Sequence, residues 1–219
     1  LEHTLSGLHL PAGPNANFSE VGALLPYTMN LTVSGDLESA AVRRVELVDG
    51  MAALGLPEAT VYEATTMMAL ARETGTLADL DFVADLTEQM GHPASAARAV
   101  GVYIRFAQGD LDRVMTALDL ISAEQLADDA GYPIVVAYWS EIVAALRLTD
   151  QCRRFIAELE PMTGTHLATG GIHLGSVDRY RALLRDALGE HDLADELFAV
   201  AVEQHEAFRT PPWIARTHL

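Results

Sequence analysis

Three tripeptides of the form glycine–X–proline divide the middle of the chain: GLP at residues 55–57, GHP at 91–93 and GYP at 131–133. Glycine readily adopts the left-handed conformation just past a helix end, and proline fits the first turn of a helix, where its missing N–H is harmless. Each tripeptide therefore predicts that one helix stops there and another begins. The tripeptides lie 36 and 40 residues apart.

A second series of breaks alternates with the tripeptides and starts at residues 35, 75, 109, 149 and 189. A repeat of about 34–40 residues built from two helices is typical of tetratricopeptide-like solenoids. The sequence therefore predicts an all-α fold without a sheet, a right-handed α-solenoid of about five tetratricopeptide-like helical hairpins. The expected helix pairs are 20–33/37–54, 57–73/77–90, 94–107/111–129, 134–147/151–161 and 175–187/191–208.

The domain boundaries follow from the same pattern of glycine and proline breaks. Residues 1–18 carry two glycines, two prolines and two asparagines and no helical period, so they are predicted to be an irregular lead-in. Residues 19–219 are predicted to be a single helical-repeat domain, cut short inside the proline-started segment PPWIARTHL. Terminal repeats need a polar cap. We therefore expect the apolar face of Trp213, Ile214 and Leu219 to be exposed and to permit self-association.

The charge and composition exclude several classes of function. The formal charge is −17, from 14 arginines, no lysine and 31 acidic residues, and such a surface repels phosphate backbones. Without lysine the chain holds no P-loop phosphate clamp, pyridoxal Schiff base or protein-kinase site. The uncharged stretch 21–35 is interrupted by Pro26 and Asn30 and is shorter than the roughly 20 apolar residues of a membrane span. A lone Cys152 fits a reducing compartment, so we expect a cytoplasmic protein without direct contact to nucleic acid or membrane.

No metal or catalytic motif is complete. His205-Glu206 begins like a zinc-protease HExxH, but Arg209 stands where the second histidine belongs. His166 and His173 are seven residues apart and lack a third ligand. The prediction is no metal, no cofactor and no catalytic residue, with these histidines at exposed positions.

Two further local features have competing interpretations. Cys152 precedes two arginines that could activate its thiol, but a buried packing position is favoured. The glycine-rich segment 164–175 leads into a helix, whose N-terminus could hold an anion. A long loop between hairpins is the favoured interpretation, and anion binding stays open.

Side chains on the first helices of the hairpins are the candidate interaction surface. Aromatic residues there could line a ligand groove, but their helical spacing favours the core; they are Tyr62, Tyr103, Phe106, Trp139 and Tyr180. Four arginines form the candidate partner surface: Arg98, Arg105, Arg181 and Arg185. They could anchor an acidic or phosphorylated partner, although internal ion pairs with the surplus carboxylates are favoured.

The last quarter of the chain carries a likeness to a known family. The segments LGSVDRY (174–180), ALGEHDLA (187–194) and PWIARTHL (212–219) resemble the C-terminal repeat region of large multidomain regulators of high-GC bacteria. In that family a nucleotide-cyclase or DNA-binding output module is joined to an ATP-binding switch module and a helical-repeat tail. The resemblance implies a scaffold that docks or senses something and helps control the switch. It transfers no catalytic or ligand-binding residue.

These observations predict a non-catalytic protein-interaction or regulatory module of a larger signalling or transcription-regulatory ATPase. Its expected partner is a protein: the parent's own upstream domains, another subunit or a separate protein. The alternative is a small-molecule sensor that binds its ligand inside the superhelix.

Overall fold

The computed structural model describes residues 18–56, 59–88, 95–122, 126, 130–169 and 171–218. These residues form eleven α-helices and a two-stranded sheet. The helices are α1 Phe18–Ser34, α2 Leu37–Ala53, α3 Ala59–Thr74, α4 Asp81–Glu88, α5 Ala96–Gln108, α6 Leu111–Ser122, α7 Tyr132–Ala145, α8 Thr149–Leu159, α9 Val177–Ala187, α10 His191–Ala207 and α11 Pro211–His218. The prediction of a mostly helical chain is confirmed.

Glycine ends the helices at most of the expected breaks. The glycines after α1, α3, α5 and α9 all have φ between 74° and 87°, and Gly55 after α2 has φ 66°. This left-handed conformation costs glycine little, because it has no Cβ to collide with the following carbonyl. The second tripeptide, at residues 91–93, lies outside the described residues.

The break in the fourth hairpin lies two residues before the position expected at Thr149. Helix α7 ends at Ala145, and Arg147 takes the left-handed conformation with φ 51°. Gly131, by contrast, has φ −88° and precedes the first turn of α7.

The corrected break restores a regular packing position. Cys152, five residues after Arg147, is completely buried, and the residues five positions after Gly35, Gly109 and Gly189 are also small and buried. They are Ala40, Val114 and Ala194. The small side chain at this position lets the two helices of a hairpin approach closely.

Helix α7 forms the centre of the helical packing. It contacts α5 on one side and α9 on the other, and ten of its fourteen residues are buried. Because neighbours cover it all round, its sequence is apolar on every face. Trp139 and Tyr138 are among the largest fully buried side chains.

The segment expected to be a loop forms a β-hairpin, so the prediction of a fold without a sheet is wrong. Strand β1, His166–Thr169, pairs antiparallel with β2, Ile172–Ser176. Strand β2 buries Ile172 and Leu174 and contacts α1, α3, α7, α9 and α10. The dipeptide Gly170-Gly171 is a hairpin signature, and the alternation around it is too short to stand out against the helical pattern.

The last described helix packs against the first. Helix α11 packs against α1, and a Cβ on Gly35 would lie 3.8 Å from Pro212 Cγ. Trp213 is 2% exposed and fits against Gly175, where a Cβ would lie 2.5 Å from its ring. The expectation that Trp213 is exposed is therefore wrong, and Ile214 is half-buried. Leu219 lies outside the described residues.

The glycine breaks give a first testable prediction. Gly109→Val and Gly189→Val should each lower the free energy of unfolding by about 1–3 kcal/mol, because a β-branched residue is strained at positive φ. Gly22→Ala is the matched control. A Cβ there meets nothing within 4 Å, and the change should stabilise the helix by about 0.5–1 kcal/mol. Urea unfolding measures all three, and neutral effects at Gly109 and Gly189 would contradict the assigned breaks.

Arg147 should respond in the opposite direction. Arg147→Gly relieves a left-handed conformation that costs a residue with a Cβ about 1–2 kcal/mol, so it should raise the free energy of unfolding. Arg153→Gly, on an exposed face in the middle of α8, should lower it by about 1 kcal/mol. If both changes destabilise equally, Arg147 is not the residue that ends α7.

Candidate functional site

The four candidate partner arginines lie on two helices separated by α7. Arg98 and Arg105 lie on α5, and Arg181 and Arg185 lie on α9. On α9, Arg181 donates to Asp178 at 3.0 Å and Arg185 donates to Glu190 at 2.5 Å. These two side chains are half-buried and paired within the chain.

Arg105 is the most thoroughly paired of the four. Its side chain is 6% exposed and donates to Asp81 at 2.8 Å, to Glu88 at 2.9 Å and to Asp85. The three acidic residues follow one another at i, i+4 and i+7 on α4, so they share one face of that helix. The hydrogen bond that Arg105 donates to Glu88 contributes most to raising the pKa of Arg105. With its donors occupied, this guanidinium fixes α4 to α5.

An open cleft lies between α4, α5 and α6, and we call it the arginine cleft. Its volume is about 350 Å³, and its lining residues are Glu88, Arg98, Val102, Arg105, Asp112, Arg113, Thr116 and Ala117. Arg113 is half-exposed and reaches Glu88 and Asp110 at 3.4 and 3.5 Å. The cleft thus contains two of the predicted arginines together with one that the sequence analysis did not single out.

The two helices on either side of this cleft also carry exposed apolar side chains. Phe82 and Leu86 are exposed on α4, and Leu111, Met115 and Leu120 are exposed on α6. Solvent-facing apolar residues on neighbouring helices mark an interaction surface when they form a contiguous patch.

A second cluster, which we call the central ionic cluster, lies in the interior and comprises Arg72, Glu141 and Arg179. Glu141 Oε1 accepts from Arg72 Nη2 at 2.6 Å and from Arg179 Nη1 at 2.7 Å. The Tyr103 hydroxyl donates to Glu141 Oε2. All three charged side chains are nearly inaccessible, with 4%, 11% and 7% exposure. The cluster joins α3, α7 and α9.

Electrostatics keep the Glu141 carboxylate ionised in this interior. Burial alone would raise its pKa, but the attraction of Arg72 and Arg179 holds the pKa at about 2. Burial and the neighbouring carboxylate raise the pKa of Tyr103. Tyr103 therefore keeps its proton and serves as a hydrogen-bond donor.

The last helix docks on this cluster through an aromatic ring. The Arg72 guanidinium carbon lies 4.6 Å from the centroid of the Trp213 ring, and those of Arg179 and Arg216 lie 5.6 Å away. Desolvated cation–π contacts of this kind contribute about 2 kcal/mol.

The central ionic cluster is not predicted from the sequence, although it has one local signal there. Glu141 is the sole acidic residue between 131 and 149 in a strongly apolar helix. A carboxylate in such a place needs a buried cationic partner. Its partners Arg72 and Arg179 are 69 and 38 residues away, so the pairing itself had no local sequence signature.

Three histidines also converge. His166 Nδ1 lies 3.0 Å from His173 Nε2, and the rings of His166 and His205 are 5.6 Å apart. His205 Nε2 accepts from the Ser176 amide, and its Nδ1 contacts Thr217 Oγ1. The expectation of exposed histidines is wrong, since His205 is completely buried and the other two are half-buried. Within the described part of the chain no three His, Cys, Asp or Glu side chains are grouped to hold a metal ion.

Cys152 and most of the candidate aromatic residues occupy packing positions in the structure. Cys152 is completely buried and its pKa is raised by burial, so the packing interpretation is confirmed. Tyr103, Trp139 and Tyr180 belong to the main core as expected, and Phe106 packs against it half-buried. Tyr62 packs against a separate apolar cluster of the first helices.

The glycine-rich segment 164–175 carries an internal carboxylate contact. The Gly164 amide donates to Asp178 Oδ2 at 3.0 Å, and the Ser176 hydroxyl caps α9 by accepting from the Asp178 amide. Asp178 in the first turn of α9 thus supplies negative charge at the helix N-terminus, the place where an anion would otherwise bind.

Comparison of the chain with models of protein families, with curated proteins and with solved structures finds no match in any of the three. Among the described helices, none combines the length and the apolar character needed to span a bilayer.

The central ionic cluster predicts a large effect of a small substitution. Glu141→Gln should lower the free energy of unfolding by about 3–5 kcal/mol, because it leaves two buried guanidinium groups without a carboxylate. Glu196→Gln, on an exposed position of α10, should change it by less than about 0.5 kcal/mol. Urea unfolding compares the two variants, and equal effects would show that the cluster does not stabilise the fold.

The histidines predict acid sensitivity. Burial lowers the pKa of His173 to about 4 and that of His205 to about 3, whereas histidine in an unfolded chain titrates near 6.5. Below about pH 6.5 the unfolded state therefore binds more protons, so stability is present at neutral pH and is lost as the pH falls towards 4. The slope should reach about 1.4 kcal/mol per pH unit for each histidine.

The variant His205→Gln isolates this contribution. It should flatten the dependence of unfolding free energy on pH, even though it also removes packing. His191→Gln, on the exposed start of α10, should keep the wild-type slope. The charged groups facing the three rings are Asp178 and Arg179, and both stay unchanged in these variants. Identical slopes in all three proteins would contradict the assignment.

Proposed function

We propose that this chain is a non-catalytic protein-interaction module and that its partner binds at the arginine cleft. The observation that carries the proposal is the combination of an open cleft of about 350 Å³ with exposed apolar side chains on both flanking helices. A helical scaffold that presents such a cleft suits an extended peptide or a helix of another protein.

The charges around the cleft favour a partner that carries cations as well as apolar side chains. Arg105 is occupied by three carboxylates, so it has little left for a ligand, and Arg98 donates from Nη1 to the Glu88 carbonyl. Asp81 and Asp85 are 74% and 62% exposed and remain accessible beside the cleft. An amphipathic helix with basic residues next to its apolar face would pair with both features.

The interior supports the interaction module over the small-molecule sensor. The cavity beside the central ionic cluster has a volume of about 10 Å³, whereas pockets for drug-sized molecules measure roughly 300–1,000 Å³. Strand β2 and Trp213 fill the space among the helices in which a ligand of a superhelical sensor would lie.

We further propose that the module is a tetratricopeptide-like right-handed solenoid whose ends meet, and that it belongs to a larger signalling or transcription-regulatory ATPase. Stacked contacts of α5, α7 and α9 support the first part. The likeness of LGSVDRY, ALGEHDLA and PWIARTHL to helical tails of such regulators supports the second. The partner would then be an upstream domain of the parent protein or another subunit.

A binding experiment tests the cleft. A fluorescent amphipathic helical peptide with a basic polar face should bind the chain, and the affinity should fall as salt is raised. The double variant Thr116→Arg/Ala117→Arg, with both changes in the wall of the cleft, should weaken binding at least tenfold, because it fills the cleft and repels a basic partner. Val42→Ser, which changes an exposed apolar residue of α2, is the matched control and should bind like wild type.

Two outcomes would contradict the proposal in different ways. Equal binding of a peptide with an acidic polar face would contradict the charge argument while keeping the interaction module. Absence of peptide binding, together with thermal stabilisation by a metabolite, would favour the sensor.

A further inference from the structure

A small cavity connects the first helices to the last. It has a volume of about 10 Å³ and is lined by α1, α3, α7, β2 and α11. Arg72, Tyr138, His173 and Trp213 contribute to its wall. A space of this size holds about one water-sized particle.

The charges around this cavity do not balance. The guanidinium groups of Arg72, Arg179 and Arg216 lie 4.6–5.6 Å from the ring centroid of Trp213 in the cavity wall, and their carboxylate partners are Glu141 and Glu73. The local sum is one positive charge. An uncompensated charge in an apolar interior is costly, which favours a bound counter-ion.

Two side chains in the cavity wall have buried nitrogen atoms without a hydrogen-bond partner among the described residues. Arg72 uses Nη2 for Glu141, while its Nε and Nη1 have no protein acceptor among the described residues, and the side chain is 4% exposed. His173 Nδ1 is likewise buried without a protein partner within the described ranges. His173 Nε2 lies 3.0 Å from His166 Nδ1. When His166 Nδ1 donates to His173 Nε2, the neutral His173 ring carries its own proton on Nδ1 and can donate it into the cavity.

We propose that this cavity binds a monatomic anion, chloride under physiological conditions, between Arg72 and His173. Such an ion fits one small void, accepts several hydrogen bonds from any direction and cancels the local positive charge. Glu73 also lines the cavity, but Arg216 Nη2 lies 3.3 Å from its carboxylate and neutralises it. Because Arg72, His173 and Trp213 come from α3, β2 and α11, the anion stabilises the packing of these three elements against one another.

Bromide provides a direct probe. Crystals of the chain grown in sodium bromide should give an anomalous peak in the cavity beside Arg72 and His173. In solution, the unfolding temperature should be higher in sodium chloride or bromide than in sodium gluconate of equal ionic strength. At a halide concentration ten times the Kd, the folded-to-unfolded ratio should rise about 11-fold.

Variants separate this site from general salt effects. Arg72→Lys keeps the charge but removes the planar fork of donors, so it should lose most of the halide-dependent stabilisation. Should this variant fail to fold, His173→Leu provides the second test and should reduce the same response. His191→Leu, at an exposed position of α10, should retain the full response.

Each remaining outcome contradicts the proposal. An ordered water at the cavity, or no anomalous peak, would overturn it. A bromide peak with an unfolding temperature that is the same in halide and gluconate would mark an adventitious ion only. A halide response that His173→Leu and Arg72→Lys both retain would place the bound ion elsewhere.

Discussion

The carboxylate of Glu141 is the contact on which the arrangement of the helices depends. It accepts hydrogen bonds from Arg72 of α3 and Arg179 of α9, and so ties helices from distant parts of the chain to the central α7. An apolar helix such as α7 could pack in several registers, since each of its faces is sufficiently apolar to be buried. One charged group with two fixed partners removes that freedom, because a shifted register would leave a buried charge unpaired.

The ring of Trp213 extends the same constraint to the last helix. It stacks near Arg72, one of the two guanidinium groups that hold Glu141, and it occupies space that only a glycine at position 175 leaves free. The β-hairpin, the last helix and the first helices therefore fit around a common centre. In contrast, the arginine cleft lies on the outside, where Arg105 holds α4 against α5 and leaves apolar side chains exposed.

Much of the helical pattern was predictable because it depends on local chemistry. Glycines at 35, 75, 109 and 189 end helices through their own backbone freedom, whatever the rest of the chain does. The break at Arg147 was misplaced because nothing in its sequence distinguishes an arginine that adopts positive φ. The central ionic cluster could be suspected from the isolated Glu141, but its partners depend on tertiary packing. The short β-hairpin was missed for a similar reason, since its strands have only four and five residues.

The contact between α1 and α11 changes how the helices share stability. In an open array each hairpin touches its neighbours only, so the array can fray from either end and fold in pieces. Here residues close to opposite ends of the described chain are in contact, as when Pro212 approaches Gly35. Such a contact couples the first and last described helices to each other and raises the mean sequence separation of contacts, which slows folding and makes it more concerted. Helices at the two ends of the described chain thereby stabilise each other.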